Sequence, residues 1–325
     1  MRAVVMEELG GPEVLKVKDW PDPEPGPGDL VVDVDFAGVN FMDTGSRVGF
    51  GLVGEVPVII GVEGAGRVAA VGEGVSGFVL GDRVAWVSVY GSYAEKIAVP
   101  ADQAVPIPDD IPSDVAAAVM MQGLTAHHFV TESAPLVEGE TALVHAAAGG
   151  VGRMVTQLLK LRGARVIGLV SREEKVVAAK AAGADEVLVS SDGDFVGRVM
   201  ALTGGEGVHA VFDGGGASTF WPSIEVLRRA GTLVYYGPLI GDIPTVRMFD
   251  LPRSIRITYA VFADHIHTRE LLLKHAGDLF EKIRAGDLKV DITNRYPLDA
   301  AHQAHIDIES RRTSGKLLLD PRQVR

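Results

Sequence analysis

A glycine-rich turn between a buried strand and a helix is the stretch of this sequence best suited to chemistry. The segment TALVHAAAGGVGRMVTQLLK (Thr141 to Lys160) runs from apolar residues into Gly149-Gly150-Val151-Gly152, and then into apolar residues at helical spacing. Glycines let the backbone approach a pyrophosphate closely, and the N-terminus of the next helix offers N–H groups and a positive dipole end. Many such turns carry glycine for steric reasons alone, but the strand–turn–helix context predicts that a dinucleotide binds here.

The tip of the following strand indicates which dinucleotide is bound. Enzymes that use NAD usually place an acidic residue about 20 positions after the glycine motif, where it holds the ribose 2′-hydroxyl. Here Ser171 lies 19 positions after Gly152, and Arg172 and Lys175 follow it. A hydroxyl with two cations favours the 2′-phosphate of NADP(H). The alternative is that Arg172 and Lys175 are solvated residues in the first turn of a helix.

Two pairs of histidines suggest a metal site, but their spacing does not support one. The side chains of His127 and His128 are adjacent and therefore diverge on a helix, and His302 and His305 share a helix face without a third ligand marked by spacing. The chain has no cysteine, which excludes disulfides, iron–sulfur clusters and thiolate zinc ligands. We therefore expect no metal site, and we expect partly exposed, structural histidines.

The central region contains the elements that would position the glycine turn. From Thr141 onward, strands alternate with helical crossovers, which is typical of one doubly wound parallel sheet. The predicted strands are Ala142–His145, Arg165–Val170, Glu186–Val189, Ala210–Phe212, Leu233–Tyr236 and Ile255–Ala260, and the predicted helices are Val151–Leu161, Glu173–Ala182 and Phe220–Arg229.

The regions before and after this central region have a different pattern of apolar and turn residues. Before residue 115, short β-prone runs separated by Gly, Pro and Asp clusters indicate a small antiparallel barrel. Its predicted strands are Ala3–Met6, Leu30–Val34, Val58–Ile60 and Val84–Val89, followed by a helix over Asp114–Met121 with Ser113 as its N-cap. After residue 263 we predict helices over Thr268–Ala285 and Asp299–Arg311 and a short strand over Lys316–Leu319. This order predicts one discontinuous domain interrupted by a Rossmann domain.

Composition excludes several classes of partner. The 325 residues include 31 Lys and Arg against 43 Asp and Glu, a formal charge of −12 that argues against nucleic acid or an acidic membrane as the main partner. The opening MRAVVMEELGG lacks the apolar region of a secretory signal, and the longest uncharged run, Val115 to Thr131, is interrupted by polar residues. We expect a cytoplasmic protein.

Five motifs in this order carry a resemblance that covers essentially the whole chain. They are GVNFMDTGSRVG (Gly38 to Gly49), GVEGAGRVAAVGEGV (Gly61 to Val75), QGLTAHH (Gln122 to His128), HAAAGGVG (His145 to Gly152) and ESRRTSGKLLL (Glu309 to Leu319). Together they resemble the zinc-independent quinone oxidoreductases of the medium-chain dehydrogenase/reductase superfamily, which include the zeta-crystallins. In zinc-dependent relatives the metal is held by a Cys and a His-Glu pair in two of these motifs. Here Gly38-Val39-Asn40 and Gly61-Val62-Glu63 stand in their place.

The resemblance implies an α/β fold in which a Rossmann domain (123–262) is inserted in a discontinuous GroES-like β-barrel domain (1–122 and 263–325). It further implies that NADP(H) binds in the cleft between the domains and that the protein is a homodimer. The positions that match the family's cofactor contacts are Asn40, Thr125, His128, Ala148, Gly149, Gly150, Val151, Ser171, Arg172, Lys175, Gly237 and Arg311. By the same resemblance, Asn40 and Thr125 lie beside the nicotinamide, and Arg311 reaches back to the cofactor from the last segment.

The chemistry implied is hydride transfer from NADPH to a quinone or to the β-carbon of an enone. The protein must then donate hydrogen bonds to the developing oxyanion. Asn40 is the first candidate donor and Thr125 the second, while Asp43 either positions a water or caps the following turn.

Three departures from the family pattern concern the substrate. Gly45, His128 and Ser190 stand where many members carry tyrosine. By the resemblance, the tyrosine matched by Ser190 lies near the adenosine phosphate. The loss of aromatic side chains at Gly45 and His128 predicts a larger pocket that accepts bulkier acceptors than a simple quinone. Two other classes of protein are alternatives: an NADPH-binding protein with a sensing or structural role, and a zinc-dependent alcohol dehydrogenase, which fails because the metal ligands are missing.

Overall fold

The structure is a computed structural model that describes residues 1–51, 54–190, 194–237 and 244–323. In chain order its strands are β1 (Arg2–Met6), β2 (Lys16–Asp19), β3 (Asp29–Val39), β4 (Val58–Ile59), β5 (Glu63–Val71), β6 (Arg83–Val87), β7 (Lys96–Pro100), β8 (Val105–Pro106), β9 (Thr141–Val144), β10 (Arg165–Val170), β11 (Glu186–Val189), β12 (Val208–Asp213), β13 (Leu227–Tyr235), β14 (Arg256–Tyr259), β15 (Ile292–Pro297) and β16 (Lys316–Asp320). Its helices are α1 (Phe41–Arg47), α2 (Ser113–His128), α3 (Gly150–Leu161), α4 (Val176–Ala181), α5 (Val196–Leu202), α6 (Ala217–Glu225), α7 (Phe262–His265), α8 (Arg269–Arg284) and α9 (Ala301–Glu309).

The chain divides into two compact units. Unit 1 comprises residues 1–121, 266–286 and 290–325, and unit 2 comprises residues 122–265 and 287–289. The first division falls inside α2. The domain boundaries predicted from the sequence, at 122/123 and 262/263, remain predictions.

Unit 2 is built on a six-stranded parallel sheet in the order β11-β10-β9-β12-β13-β14. The first strand of this unit along the chain, β9, is central, and all four of its residues are buried. Because the strand order reverses between β9 and β12, the carboxyl ends of these strands form the switch point at which such sheets bind ligands. Helix α3 packs there through Met154, Val155, Leu158 and Leu159, which are all buried. The predicted doubly wound sheet is confirmed.

Unit 1 is mainly antiparallel. Its seven-stranded sheet follows the order β15-β16-β3-β5-β6-β8, with β7 paired to β3, and a three-stranded sheet follows the order β2-β1-β4. The end of β3 lies beside the start of β16, because Val39 pairs with Leu317. It also lies beside the start of β5, because Ala37 pairs with Gly64. Three strand ends from distant parts of the chain therefore meet at one place.

Two predicted helices have different ends in the structure. The helix predicted over Phe220–Arg229 is α6, which ends at Glu225, and the chain enters β13 at Leu227. Leu227 is buried and pairs with Val208, so the apolar residues after Ile224 belong to the sheet and not to a helix face. The helix predicted over Asp114–Met121 continues to His128 and then into a π-helical turn over Phe129–Ser133.

Helix α9 is likewise shorter than its predicted span of Asp299–Arg311, and a 3₁₀ turn over Leu298–Ala300 precedes it.

In the part of the chain that the structure describes, no helix is both long enough and apolar enough to cross a membrane.

Candidate active site

The glycine turn of unit 2 needs its glycines for close packing. Ala146 has a positive φ of 47°, and a β-carbon at Gly152 would overlap the carbonyl group of this residue. A β-carbon at Gly150 would overlap the side chain of Gln122. Because these clashes are with the backbone or with a buried side chain, no larger residue fits at Gly150 or Gly152 without a shift of the turn.

The same turn presents the N-terminus of α3 at the switch point of the sheet. Gly149 precedes the helix in extended conformation, and the first turn carries no acidic residue. The first N–H groups of an α-helix have no acceptor within the helix, and the helix dipole adds positive potential there. Ala148 is buried behind the turn, and Gly150 and Val151 are partly accessible at the helix start. This end of the sheet is therefore suited to a pyrophosphate.

The tip of β10 carries the predicted 2′-phosphate group of residues. Ser171 is partly exposed and follows the last strand residue directly, and Arg172 is exposed at the start of a 3₁₀ turn. Lys175 ends that turn. Two exposed carboxylates, Glu173 and Glu174, lie between the cations. These two acids, which the prediction of a 2′-phosphate site did not include, oppose part of the positive potential.

Three other predicted cofactor residues lie in unit 2. Gly237 is buried two residues after β13, where a β-carbon would lie 3.3 Å from the carbonyl oxygen of Gly214. Thr125 and His128 are partly exposed on α2, and Nδ1 of His128 lies 3.1 Å from a carboxylate oxygen of Glu132.

A buried polar network at the same end of the sheet was missed by the sequence reasoning. The hydroxyl of Ser223 donates to Asp213 Oδ2 at 2.7 Å and lies 3.0 Å from Nε2 of His145. Asp213 Oδ1 also accepts hydrogen bonds from the Thr219 hydroxyl and the Gly215 N–H. All three members of the Ser–His–Asp group are buried, and burial lowers the pKa of His145. The network therefore fixes the ends of β9 and β12 against α6 and offers no accessible nucleophile.

In unit 1, a buried ion pair lies where three strand ends meet. The Lys316 ammonium donates to Asn40 Oδ1 at 2.7 Å and contacts the Glu63 carboxylate. Asn40 Nδ2 donates to the same Glu63 oxygen at 2.7 Å, and the other Glu63 oxygen accepts from the Met121 N–H. A β-carbon at Gly38 would overlap Glu63. The Asn40 amide is thus held from both ends, and its second N–H is left to donate elsewhere.

Asp43 acts as a helix cap in this structure. Its carboxylate accepts from the Asn40 N–H at 2.8 Å, as in one half of a capping box, and from the Tyr93 hydroxyl at 2.8 Å. Complete burial raises the pKa of Asp43 to about 7, although the hydrogen bonds from Asn40 and Tyr93 oppose the shift. Of the two roles considered from the sequence, the capping role is the one that these contacts fit.

His305 extends the buried cluster of unit 1. Its Nε2 lies 3.2 Å from the Tyr93 hydroxyl, and burial together with the Arg47 guanidinium lowers its pKa to about 3. The expectation of a partly exposed histidine is wrong here, because the helix face that carries His305 packs on α1. Arg311, the last predicted cofactor residue, is exposed and has a positive φ of 55°.

The missed residues had only weak signals in the sequence. Glu63 and Lys316 were visible as parts of the Gly61-Val62-Glu63 and Ser314-Gly315-Lys316 motifs. Nothing in their local spacing indicated that sheet register would pair them.

Comparison with known proteins agrees with this architecture. Residues 26–109 match the family described as an alcohol dehydrogenase GroES-like domain, and residues 150–275 match the family described as a zinc-binding dehydrogenase. With the doubly wound sheet and its glycine turn, these matches define a medium-chain dehydrogenase/reductase.

Relatives that align with nearly the whole chain identify the family within this superfamily. A Pseudomonas aeruginosa quinone oxidoreductase is 38% identical over 96% of this chain and 97% of its own length. A 2-haloacrylate reductase of a Burkholderia species is 32% identical over 98% of this chain and 97% of its own length. The Escherichia coli quinone oxidoreductase complexed with NADPH superposes with a TM-score of 0.95 at 35% identity, covering 99% of this chain and 100% of that one. The chain belongs to the quinone oxidoreductase family, and it is an oxidoreductase. The predicted family, fold class and enzyme class are confirmed.

Proposed function

We propose that this protein is an NADPH-dependent reductase that transfers hydride to a quinone or an α,β-unsaturated carbonyl compound. The observation that carries the proposal is the acid-free N-terminus of α3 at the switch point, next to a β10 tip that presents Ser171 and Arg172 in place of a carboxylate. Relatives named quinone oxidoreductase and 2-haloacrylate reductase support both substrate classes. Two solved neighbours, one of them mycobacterial, are complexed with NADPH.

The residues present fit this cofactor. Gly150 and Gly152 keep the turn close to the sheet. The N–H groups at the start of α3 can donate hydrogen bonds to the two phosphates. Ser171, Arg172 and Lys175 would hold the 2′-phosphate, and the exposed guanidinium of Arg311 is available to a further anionic group. When bound, NADPH supplies a hydride from C4 of its nicotinamide ring.

The chain's own contribution is to orient a donor toward the substrate oxygen. Glu63 and Lys316 fix the plane of the Asn40 amide, so its second N–H points in one direction without rotational freedom. A donor fixed in advance stabilises developing negative charge at little reorganisation cost. Thr125 is the second proposed donor. Asp43, engaged with Asn40 and Tyr93, would act by holding the start of α1.

A sensing or structural role without catalysis is the less favoured function. Relatives with enzymatic names align with the full chain, and the hydrogen bonds around Asn40 leave a donor that a purely structural residue would not need.

The test is steady-state kcat/KM with NADPH and NADH against 1,4-benzoquinone, a polycyclic quinone, an enone and a 2-haloacrylate. One hydrogen bond to a charged group contributes about 1.5–3 kcal/mol, which corresponds to about a 10- to 100-fold preference for NADPH. Because Glu173 and Glu174 oppose the cations, we expect the lower part of that range. Arg172→Ala and Lys175→Ala should each reduce kcat/KM for NADPH selectively.

Arg229→Ala is the matched control, since Arg229 is an exposed arginine of the same unit outside this group. It should leave the NADPH/NADH ratio unchanged. Equal use of both cofactors by the parent protein would show that the assignment of the 2′-phosphate group is wrong. Failure to reduce any member of the panel would remove the proposed reaction.

We also propose that the protein is a homodimer whose subunits pair along β14. This strand ends the sheet of unit 2 and pairs with β13 alone among the described strands. It exposes Ile257 and Tyr259, and Met248 and Phe249 are exposed in the 3₁₀ turn that precedes it along the chain. The opposite edge strand, β11, exposes no large apolar side chain. An apolar, unpaired edge is a template for another strand, and a two-fold axis would pair β14 with itself.

The oligomeric state tests this assignment. Tyr259→Lys places a charge on the edge and should convert the dimer to a monomer in light scattering coupled to size exclusion. Val177→Lys is the control, because Val177 is an apolar residue on α4 that is even more exposed than Tyr259, at 76% against 63%. A monomeric parent, or a Tyr259→Lys dimer, would contradict the proposed interface. The cytoplasm remains the proposed location, to be tested by cell fractionation.

A further inference from the structure

We propose that His128, Glu132 and His265 form a binding site for a divalent transition-metal ion of the zinc, nickel or cobalt type. His128 ends α2, Glu132 follows in the π-helical turn, and His265 ends α7. One ligand atom from each of the three side chains lies within 4.8 Å of the others. All three belong to unit 2.

The distances suit a common ion. Nδ1 of His265 lies 2.8 Å from Glu132 Oε1, and Nδ1 of His128 lies 3.1 Å from Glu132 Oε2. For metal–ligand bonds of about 2.0–2.2 Å, neighbouring ligands of an octahedral ion lie about 2.8–3.1 Å apart. The carboxylate therefore sits between the two imidazoles, and each imidazole lies at the spacing of neighbouring ligands from one of its oxygens.

Each imidazole also has an outer partner on its other nitrogen. Nε2 of His265 lies 2.8 Å from Nδ1 of His127, and Nε2 of His128 lies 3.5 Å from the Ser133 hydroxyl. Metal-binding histidines almost always hold their second nitrogen in this way, because it fixes the tautomer and the ring orientation. An ion bound at both Nδ1 atoms would leave the proton of each imidazole on Nε2, where it faces this outer partner.

The ligand set favours a transition metal. Two imidazoles and a carboxylate are ligands for zinc, nickel and cobalt, whereas calcium and magnesium prefer oxygen alone.

This inference departs from the expectation of no metal site. The sequence offered His127 and His128 as a pair, whereas this group contains His128 without His127. Glu132 lies in the π-helical turn after α2, and His265 lies in α7, far along the chain. No local spacing in the sequence therefore indicates this site. Half of the Glu132 side chain is exposed, which leaves a path for the ion from solvent.

The experiment uses the full-length, tag-free protein after chelator treatment and without NADPH, because His128 is also a predicted cofactor contact. Zn²⁺ is titrated by calorimetry, stoichiometry is measured by elemental analysis after gel filtration, and the visible spectrum of bound Co²⁺ reports the ligands. We expect one ion per chain. Because the protein has no cysteine, the Co²⁺ spectrum should lack thiolate charge-transfer bands.

His128→Asn and Glu132→Gln should each weaken Zn²⁺ binding by at least about tenfold and change the Co²⁺ spectrum, and Ser133→Ala should weaken it by about tenfold. His302→Asn and Glu206→Gln make the same substitutions outside the cluster and should leave both readouts unchanged. Circular dichroism confirms that each variant is folded. No ion retained by the parent, or retention unaffected by both His128→Asn and Glu132→Gln, would overturn the proposal.

Discussion

At the scale of single residues, the most informative group is the buried contact of Lys316 with Glu63 and Asn40. Asn40 and Glu63 lie in the two motifs that hold zinc in the zinc-dependent relatives, and here the ammonium of Lys316 lies between them. A cation supplied by the chain thus neutralises the buried carboxylate. The same cation orients the Asn40 amide, so charge balance and donor geometry depend on one side chain.

Removing that cation should destabilise the protein strongly. Lys316→Met leaves Glu63 buried and unpaired, and breaking a buried pair in this way costs about 3–5 kcal/mol. Adding Glu63→Gln removes the uncompensated charge, so the double variant should recover much of the loss. The measurement is the free energy of unfolding from chemical denaturation.

Lys289→Met is the matched control. Because Lys289 is exposed, this substitution should change the free energy of unfolding little. Either a loss below about 1 kcal/mol in Lys316→Met, or a double variant less stable than the single one, would show that the pair is not energetically coupled.

At the scale of elements, the bounds of a strand could be predicted where turn residues flank a short buried run. The bounds of β10 and β11 were predicted as Arg165–Val170 and Glu186–Val189, because each is a short apolar run between turn residues. The end of α6 was not predicted, since the apolar residues Ile224, Val226 and Leu227 suit a helix face and a buried strand equally well. Short apolar runs of this kind are resolved only by strand pairing.

The candidate site divides in the same way. The glycine turn and the β10 tip are local patterns, so their positions on a helix start and a strand end could be predicted from spacing. The contacts of Lys316 with Asn40, and of Ser223 with His145, join residues 276 and 78 positions apart in the chain. They depend on sheet register and crossover topology, which no local window contains.

At the scale of the whole molecule, two buried groups of unit 1 give opposite contributions to stability against pH. The pKa of Asp43 is raised from 3.8 to about 7, so its contribution is fully present below pH 3.8 and is lost as pH rises through 7. The pKa of His305 is lowered from 6.5 to about 3, so its contribution is present above pH 6.5 and is lost as pH falls through 3. Between pH 3.8 and 6.5 the two slopes oppose each other.

Single substitutions should separate these two contributions. Asp43→Asn keeps the size of the cap but does not titrate, so acidification below pH 6.5 should destabilise this variant more steeply than the parent, by up to about 1.4 kcal/mol per pH unit. His305→Gln should shift the slope in the opposite sense, because only the gain from protonated Asp43 remains. Denaturation series from pH 4 to 8 measure both differences, and subtracting the parent curve removes the titration of all other groups. Curves parallel to the parent in both variants would show that these buried groups titrate alike in the folded and unfolded chain.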